Sequence, residues 1–179
     1  MDSTVHIYFR DAFGGISIHP QGYYPPGAGT DRGILVEICL TSNESILGIR
    51  GDAHPFTLYR SAGVPVSIST DDEGVSRSNL TMELVKAVER YGLSYAEVQE
   101  LVRNSIEYSF LRGESLYLQS DYSRLRKGFE SVRDPNWKPS STASRVMRDN
   151  EKLRRQVCLE RAFVQFEQYL SAGFTDSGR

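Results

Sequence analysis

The chain has 179 residues, of which 39% are hydrophobic and 25% charged, so it is long enough and apolar enough to bury the core of one globular domain. Its 21 basic and 23 acidic residues give a net charge of -2, so neither nucleic acid nor an anionic membrane is expected as a partner. No apolar run reaches the roughly 18 residues of a membrane-spanning helix, and the N-terminus lacks a signal-peptide pattern, which makes the cytoplasm the default location. Cys39 and Cys158 are too few for a disulfide framework and are expected to be buried thiols.

The first seventy residues contain one strongly predicted supersecondary unit. Glycine and proline interrupt residues 1–31, where mostly irregular structure is expected. The continuous apolar run of residues 33–41 is typical of a strand in a parallel sheet, and turn-forming residues follow it. A short helix is predicted for residues 54–63, with His54 as a structural residue, and a second strand for residues 64–70.

This strand, helix and strand predict a parallel βαβ unit, whose two carboxyl ends open on one edge. Asn43 follows the first strand and Asp71 the second, so we expect them to share a rim. Ser42 and Asn43 then either line a pocket or form a turn. The adjacent pair Asp71 and Asp72 lies where α/β proteins place their chemistry, although a capped turn is the commoner reason for such a run.

Helical periodicity dominates the second half of the chain. Apolar spacing predicts a helix from about Ser78 to Gly92, and the capping-box sequence Ser94–Glu97 opens another that continues to about Phe110. A single long helical pattern covers residues 141–170. Its mixed charges are typical of a solvated face, and partner binding is the alternative.

The segment Ser-Ile-Ser-Thr-Asp-Asp at residues 67–72 resembles the signature of the adenosine deaminase family. Other segments match that family in order and approximate spacing: Leu35–Asn43, His54–Phe56, Gly63–Val66, Leu80–Ser94, Arg103–Glu107 and Ser109–Leu111. Glu73 and Gly74 replace the proline that commonly follows the Asp pair, which is similar to the growth-factor-like branch of the family.

The resemblance implies an α/β fold, namely the C-terminal part of a (β/α)8 TIM-type barrel, incomplete in this chain and followed by C-terminal helices. The implied organisation is an irregular segment of uncertain origin at residues 1–31, the barrel part at residues 32–118 and a helical extension at residues 119–179. The implied activity is that of a hydrolase, the zinc-dependent deamination of adenosine to inosine and ammonia. The implied ligand is therefore a purine nucleoside, adenosine or deoxyadenosine.

The same resemblance gives the two carboxylates different roles. Asp71 would be a zinc ligand and a catalytic residue that orients the attacking water. Asp72 would bind the substrate by donating a hydrogen bond to a purine ring nitrogen, which requires its carboxyl group to carry a proton. Zinc is the implied cofactor because it lowers the pKa of a bound water to about 7.

The remaining catalytic parts of the family are missing from this sequence. The family uses a His-x-His pair, a further His followed by Glu, and a Gly-His-Gly, whereas His6, His19 and His54 form no such motif and Phe13–Ile16 has glycine in place of that last histidine. A catalytic zinc needs about three protein ligands. We therefore expect the chain alone not to hold zinc stably and to be inactive, as a fragment or a degenerate relative.

Two other readings stay open. The chain could be a non-catalytic nucleoside-binding or protein-interaction remnant of the same fold. Alternatively, the basic C-terminal helix, which contains Arg154 and Arg155, could dock a partner. The sequence fixes neither the oligomeric state nor the compartment, and export of longer relatives stays possible.

Overall fold

The computed structural model of the chain describes residues 8–10, 16–18, 34–71 and 73–176. They belong to two compact units, which divide between Tyr108 and Ser109. No helix in these ranges has the length and apolar character that crossing a membrane requires. Asp72, His6 and His19 lie outside the described residues, as does most of the segment expected to be irregular.

The elements follow in a mixed α/β order. They are β1 Tyr8–Arg10, β2 Ile16–Ile18, β3 Val36–Ile38, α1 Leu40–Leu47, α2 Phe56–Ser61, β4 Val66–Ile68, α3 Glu73–Ser76, α4 Leu80–Tyr91, α5 Tyr95–Glu107, α6 Ser141–Asp149 and α7 Glu151–Asp176. Strands β1 and β2 pair antiparallel, which the sequence did not indicate.

Strands β3 and β4 form the parallel pair that the βαβ pattern predicts. Val36 lies opposite Val66, and Ile38 lies opposite Ile68. The ladder continues past β4, because the Ser69 N–H donates to the Ile38 carbonyl at 2.9 Å. The prediction of parallel strands with carboxyl ends at one edge is confirmed, and within the described residues β3 and β4 form a two-stranded parallel sheet.

The core of the first unit lies between this sheet and helices α2, α4 and α5. Its buried side chains include Val36, Ile38, Leu40, Phe56, Val66, Ile68, Ala87 and Leu101. The buried Asn104 of α5 donates its Nδ2 to the Val66 carbonyl at 2.7 Å. A side-chain amide therefore satisfies a backbone acceptor of β4 that the pairing with β3 does not use.

Helices α4 and α5 begin and end where their capping residues stand. Asn79 accepts a hydrogen bond from the Met82 N–H at 2.9 Å, and Gly92 ends α4 with a left-handed φ of 63°. The predicted capping box is confirmed, since Ser94 and Glu97 bond reciprocally, and these bonds together with Arg60 lower the pKa of Glu97 to about 2. Helix α5 ends at Glu107.

The second unit has its own core, which packs a loop against α6 and α7. Its buried members are Leu116, Tyr117, Phe129, Val132, Ala143, Leu153 and Val157. The single long helix expected for residues 141–170 is wrong, because Asn150 interrupts it in an extended conformation. The Asn150 Oδ1 accepts the Leu153 N–H at 2.9 Å and its Nδ2 donates to the Glu114 carbonyl at 3.0 Å, so the amide both begins α7 and holds the loop.

Not every charged side chain of helix α7 is exposed to solvent. Glu160 is only 1% exposed, accepts the Tyr117 hydroxyl at 2.6 Å and pairs with Arg133 at 2.7 Å. Arg154 and Arg155, by contrast, are well exposed, each 3.9 Å from the Glu151 carboxylate. The prediction that the charged residues form a solvated face is therefore confirmed for the first turns of α7 and is wrong at Glu160.

Candidate functional site

Polar residues lie at the edge where β3 and β4 end, some in the first turn of α1 and others in the loop that follows β4. After β3, Cys39 occupies the N-cap position of α1 without a side-chain capping hydrogen bond, and Ser42 and Asn43 lie in the first turn of that helix. The turn predicted at these two residues is therefore wrong, and the helix continues until Gly48, whose left-handed φ of 67° ends it. Turn-forming residues also favour the first turn of a helix, which explains the misreading.

A cavity of about 530 Å³ opens at this edge. Its lining residues are Val36, Glu37, Ile38, Cys39, Ser42, Asn43, Ile46, Leu47, Ile49, His54, Pro55, Tyr59, Thr70 and Asp71. The walls are mostly apolar, and the polar groups concentrate where the strands end. A concave site with apolar walls and a few convergent polar groups is typical of a small-molecule pocket.

Asp71 is an exposed residue on the wall of this cavity, directly after Thr70 and three residues beyond the last residue of β4. Asn43, in the first turn of α1 after β3, lines the same cavity. The predicted rim shared by Asn43 and Asp71 is confirmed. Asp72, the other carboxylate of the predicted pair, lies outside the described residues, and α3 begins at Glu73.

His54 is buried beside the cavity and its two ring nitrogens both have protein partners. Nδ1 accepts the Phe56 backbone N–H at 3.1 Å, and Nε2 lies 3.1 Å from the Asn43 Oδ1. Burial, aided by the positive charge of Arg90, lowers the pKa of His54 below its usual value. His54 is therefore neutral near pH 7 and offers no free nitrogen to a metal, which confirms its structural reading.

A buried carboxylate that the sequence did not single out holds the start of α1. Glu83 of α4 is 1% exposed and accepts hydrogen bonds from the Thr41 N–H at 3.1 Å, the Thr41 hydroxyl and the Ser78 hydroxyl at 3.0 Å. The Lys86 ammonium donates to the Thr41 hydroxyl oxygen at 2.6 Å. This network holds the backbone from which Ser42 and Asn43 project. In the sequence, the feature that could have indicated it is a single carboxylate, Glu83, on the apolar face of α4.

A second carboxylate, Glu44, bonds to Arg90 on the outer side of α1. That hydrogen bond lowers the pKa of Glu44 below its usual value. Lys86 lies 3.7 Å from the same carboxylate. Helix α1 is thus tied to α4 by two separate carboxylates, one on each helix.

The donor groups at the rim do not make a zinc site by themselves. Across residues 34–71 and 73–176, no three His, Cys, Asp or Glu side chains are grouped so that they could hold a metal. Asp71 shares the cavity wall with Cys39, which is half-buried, whereas Cys158 is exposed on α7, so the expectation of two buried thiols is wrong. One carboxylate falls short of the roughly three protein ligands of a catalytic zinc.

Comparison with known proteins agrees with the resemblance carried by the Asp pair. The family model "Adenosine deaminase" matches residues 29–118. Adenosine deaminase of Enterococcus faecalis is 37% identical over 82 residues, which are 45% of this chain and 24% of that protein. Adenine deaminase of Rhizobium leguminosarum bv. trifolii is 37% identical over 87 residues, which are 48% of this chain and 27% of that protein.

Aminodeoxyfutalosine deaminase of Streptomyces coelicolor is also 37% identical, over 82 residues that are 45% of this chain and 21% of that protein. No solved structure matches the chain. The chain spans about a quarter of the length of the curated relatives that it matches. Because the family model covers half of the chain, including β3, β4 and the cavity between their ends, the chain belongs to the adenosine deaminase family.

Proposed function

We propose that residues 32–118 contribute the C-terminal part of a zinc-dependent deaminase fold, and with it one side of a site that acts on adenosine. In this proposal Asp71 is a zinc ligand, and Asp72 binds the purine ring. The observation that carries the proposal is the position of Asp71, on the wall of the cavity into which both parallel strands end. This segment lies within the region matched by the family model.

The cavity is suited to a planar, partly polar ligand. Its volume of about 530 Å³ lies within the range of small-molecule sites, roughly 300 to 1,000 Å³. Ile46, Leu47 and Tyr59 offer apolar surface to a base, while Asn43 and Asp71 offer hydrogen-bonding groups. Two relatives are named adenosine deaminase and adenine deaminase, and the substrates in these names both contain the adenine ring. Adenosine is therefore the substrate that we propose.

The zinc ion would supply a hydroxide nucleophile near neutral pH. The described residues contribute Asp71 to its coordination, and the other ligands would come from outside them. For this reason we expect little deamination by the chain alone. The activity belongs to an assembly, or to a longer protein, in which the remaining barrel strands face this cavity.

A second candidate is a nucleoside-binding protein without catalysis. The apolar surface of Ile46, Leu47 and Tyr59 together with the polar Asn43 supports it, since these side chains could hold a nucleoside without a metal. Nothing comparable favours a docking role for Arg154 and Arg155, since Glu151 lies near both. The two readings that concern the cavity predict different results in one experiment.

That experiment starts with zinc content and adenosine-to-inosine conversion, measured on one purified sample of the chain. The matching 82-residue region of the Enterococcus faecalis enzyme is then replaced by the corresponding residues of this chain, and both measurements are repeated on the chimera. A zinc-loaded, active chimera that loses both properties with Asp71→Ala, but keeps them with Glu89→Ala, supports the catalytic proposal. Glu89 is the control because it is an exposed carboxylate of the same unit.

Two results would contradict the assignment of Asp71. One is a chimera that keeps zinc and normal turnover with Asp71→Ala. The other is a chimera that folds and binds adenosine but neither holds zinc nor turns over with the natural Asp71. The second result would favour the nucleoside-binding reading.

A further inference from the structure

The contacts of His54 determine which of its ring nitrogens carries the proton. The Phe56 backbone N–H donates to Nδ1 at 3.1 Å, so Nδ1 is an acceptor and has no hydrogen. In the neutral ring the single proton is then on Nε2, which lies 3.1 Å from the Asn43 Oδ1. The opposite tautomer would direct an N–H at another N–H. The backbone of Phe56 thus selects the Nε2–H form.

This tautomer in turn determines how the Asn43 amide is oriented. Because the His54 Nε2–H donates, the group of Asn43 that faces it must be the carbonyl oxygen. A flipped amide would direct its own N–H at the Nε2–H of His54. The Nδ2 group, with two N–H donors, therefore points away from the imidazole ring. Asn43 lies on the wall of the cavity, which these donors can face.

Both residues are held firmly enough for the orientation to persist. His54 is 5% exposed, and its burial, with the charge of Arg90, keeps the ring neutral by lowering its pKa. Helix α1, which carries Asn43, is anchored through Thr41 to the buried Glu83. A preorganised donor of this kind loses little entropy when a ligand binds.

We propose that Asn43 donates a hydrogen bond to an acceptor atom of the purine nucleoside, and that His54 is the positioning residue that holds the amide in this orientation. The inference rests on the proposed function, because it concerns the ligand of the same cavity. It adds a specificity-determining contact on the side of the cavity formed by α1. A purine ring nitrogen and a ribose oxygen share the required acceptor chemistry.

The test is a titration of the full 179-residue chain with adenosine and, in parallel, with adenine, followed by NMR of the side-chain amides and the imidazole nitrogens. We expect the ¹⁵N shifts of His54 to show a protonated Nε2 and an unprotonated Nδ1. Adenosine should shift the Asn43 amide signals. A similar shift with adenine would place the acceptor on the base, and a shift with adenosine alone would place it on the ribose.

Variants separate a contact from a structural role. Asn43→Asp keeps an acceptor for His54 but removes the donors, and should weaken adenosine binding about tenfold, the worth of one hydrogen bond. Ser45→Ala, on the exposed side of the same helix, should leave the affinity within about twofold. Asn43→Leu checks that the loss does not come from the new charge.

His54 requires a comparison of two substitutions. His54→Leu should weaken binding by the folded protein about tenfold, whereas His54→Gln, which restores an N–H donor toward Asn43, should bring the affinity back to within about threefold of the wild type. A purely structural His54 would lower the melting temperature in both variants and leave the affinity of the folded protein unchanged. That result, or an Nδ1–H tautomer, would overturn the positioning role.

The failure of this inference differs from that of the proposed function. If adenosine binds and Asp71→Asn weakens binding, but Asn43→Asp does not, then the Asn43 contact is wrong and the proposed function stands. If the wild-type chain does not bind adenosine at millimolar concentration, the Asn43 contact is overturned for this chain, whereas the proposed function is decided by the zinc content and turnover of the chimera. The imidazole shifts are measured without ligand and test the geometry in either case.

Discussion

Removing the guanidinium of Arg133 should destabilise the second compact unit. The Arg133 Nη1 lies 2.7 Å from the Glu160 Oε2, and its Nη2 lies 2.7 Å from the Glu167 Oε1. The two carboxylates differ in environment, since the side chain of Glu160 is 2% exposed and that of Glu167 is 36% exposed. Arg133→Met keeps much of the aliphatic volume and removes the charge from beside the buried carboxylate.

The expected loss is about 3 kcal/mol of unfolding free energy. Taking one partner from a buried ion pair costs roughly 3 to 5 kcal/mol, because a desolvated charge remains. The lower figure applies here, since the Arg133 side chain is itself 35% exposed and the Tyr117 hydroxyl still donates to Glu160. The exposed pair with Glu167 should contribute only about 0.5 kcal/mol. Glu167→Gln is therefore the matched control.

Urea unfolding followed by tryptophan fluorescence measures this loss. The chain has one tryptophan, Trp137, which packs against the second core with its ring 6.3 Å from that of Phe129, so its emission reports on this unit. The double variant Arg133→Met with Glu160→Gln should recover most of the stability, because no buried charge remains and the side-chain amide oxygen still accepts the Tyr117 hydroxyl. A loss below about 1 kcal/mol for Arg133→Met, or no recovery in the double variant, would refute the reasoning.

Three further predictions concern single residues. Gly113→Ala should lower the melting temperature of the second unit far more than Gly128→Ala. Both glycines have a positive φ, but only at Gly113 would the added Cβ collide with the Asn150 Oδ1. Equal losses of melting temperature in calorimetry of the two variants would contradict this reasoning. Asn104→Leu should cost about 1 to 3 kcal/mol in chemical unfolding, because it leaves the Val66 carbonyl buried without this amide, and a neutral result would contradict that role. The pKa of Glu97 is lowered to about 2 from 4.5, so its contribution to stability is complete above pH 4.5 and is lost as the pH falls toward 2; Glu97→Gln should flatten the pH dependence of the melting temperature in that window, and an unchanged slope would argue against the shift.

The sequence by itself determined the features that depend on near neighbours. The capping box at Ser94 and the glycine that ends α4 could be read directly, because a helix end is decided by residues within one turn. The parallel pairing of β3 and β4 followed from the strand, helix and strand order. The family followed from a short segment around Asp71, with the neighbouring motifs in order.

The places where the sequence misled are those where one residue type serves two local structures. Ser42 and Asn43 suit a turn and also the first turn of a helix, and only the Thr41 contact with Glu83, 42 residues away, shows which is formed. By sequence alone Asn150 is compatible with a continuous helix. The structure shows instead that its amide donates to the Glu114 carbonyl, 36 residues earlier.

Only the tertiary structure decided the environment of the polar side chains. Glu160 has the sequence context of a solvated carboxylate, yet packing against Tyr117, 43 residues away, buries it. The orientation of the Asn43 amide likewise depends on a histidine eleven residues further on and on the backbone N–H that selects its tautomer. Sequence periodicity indicates which face of a helix or strand is apolar. The distant segments that pack against that face decide how far a polar side chain is desolvated, which groups it bonds and whether it is protonated.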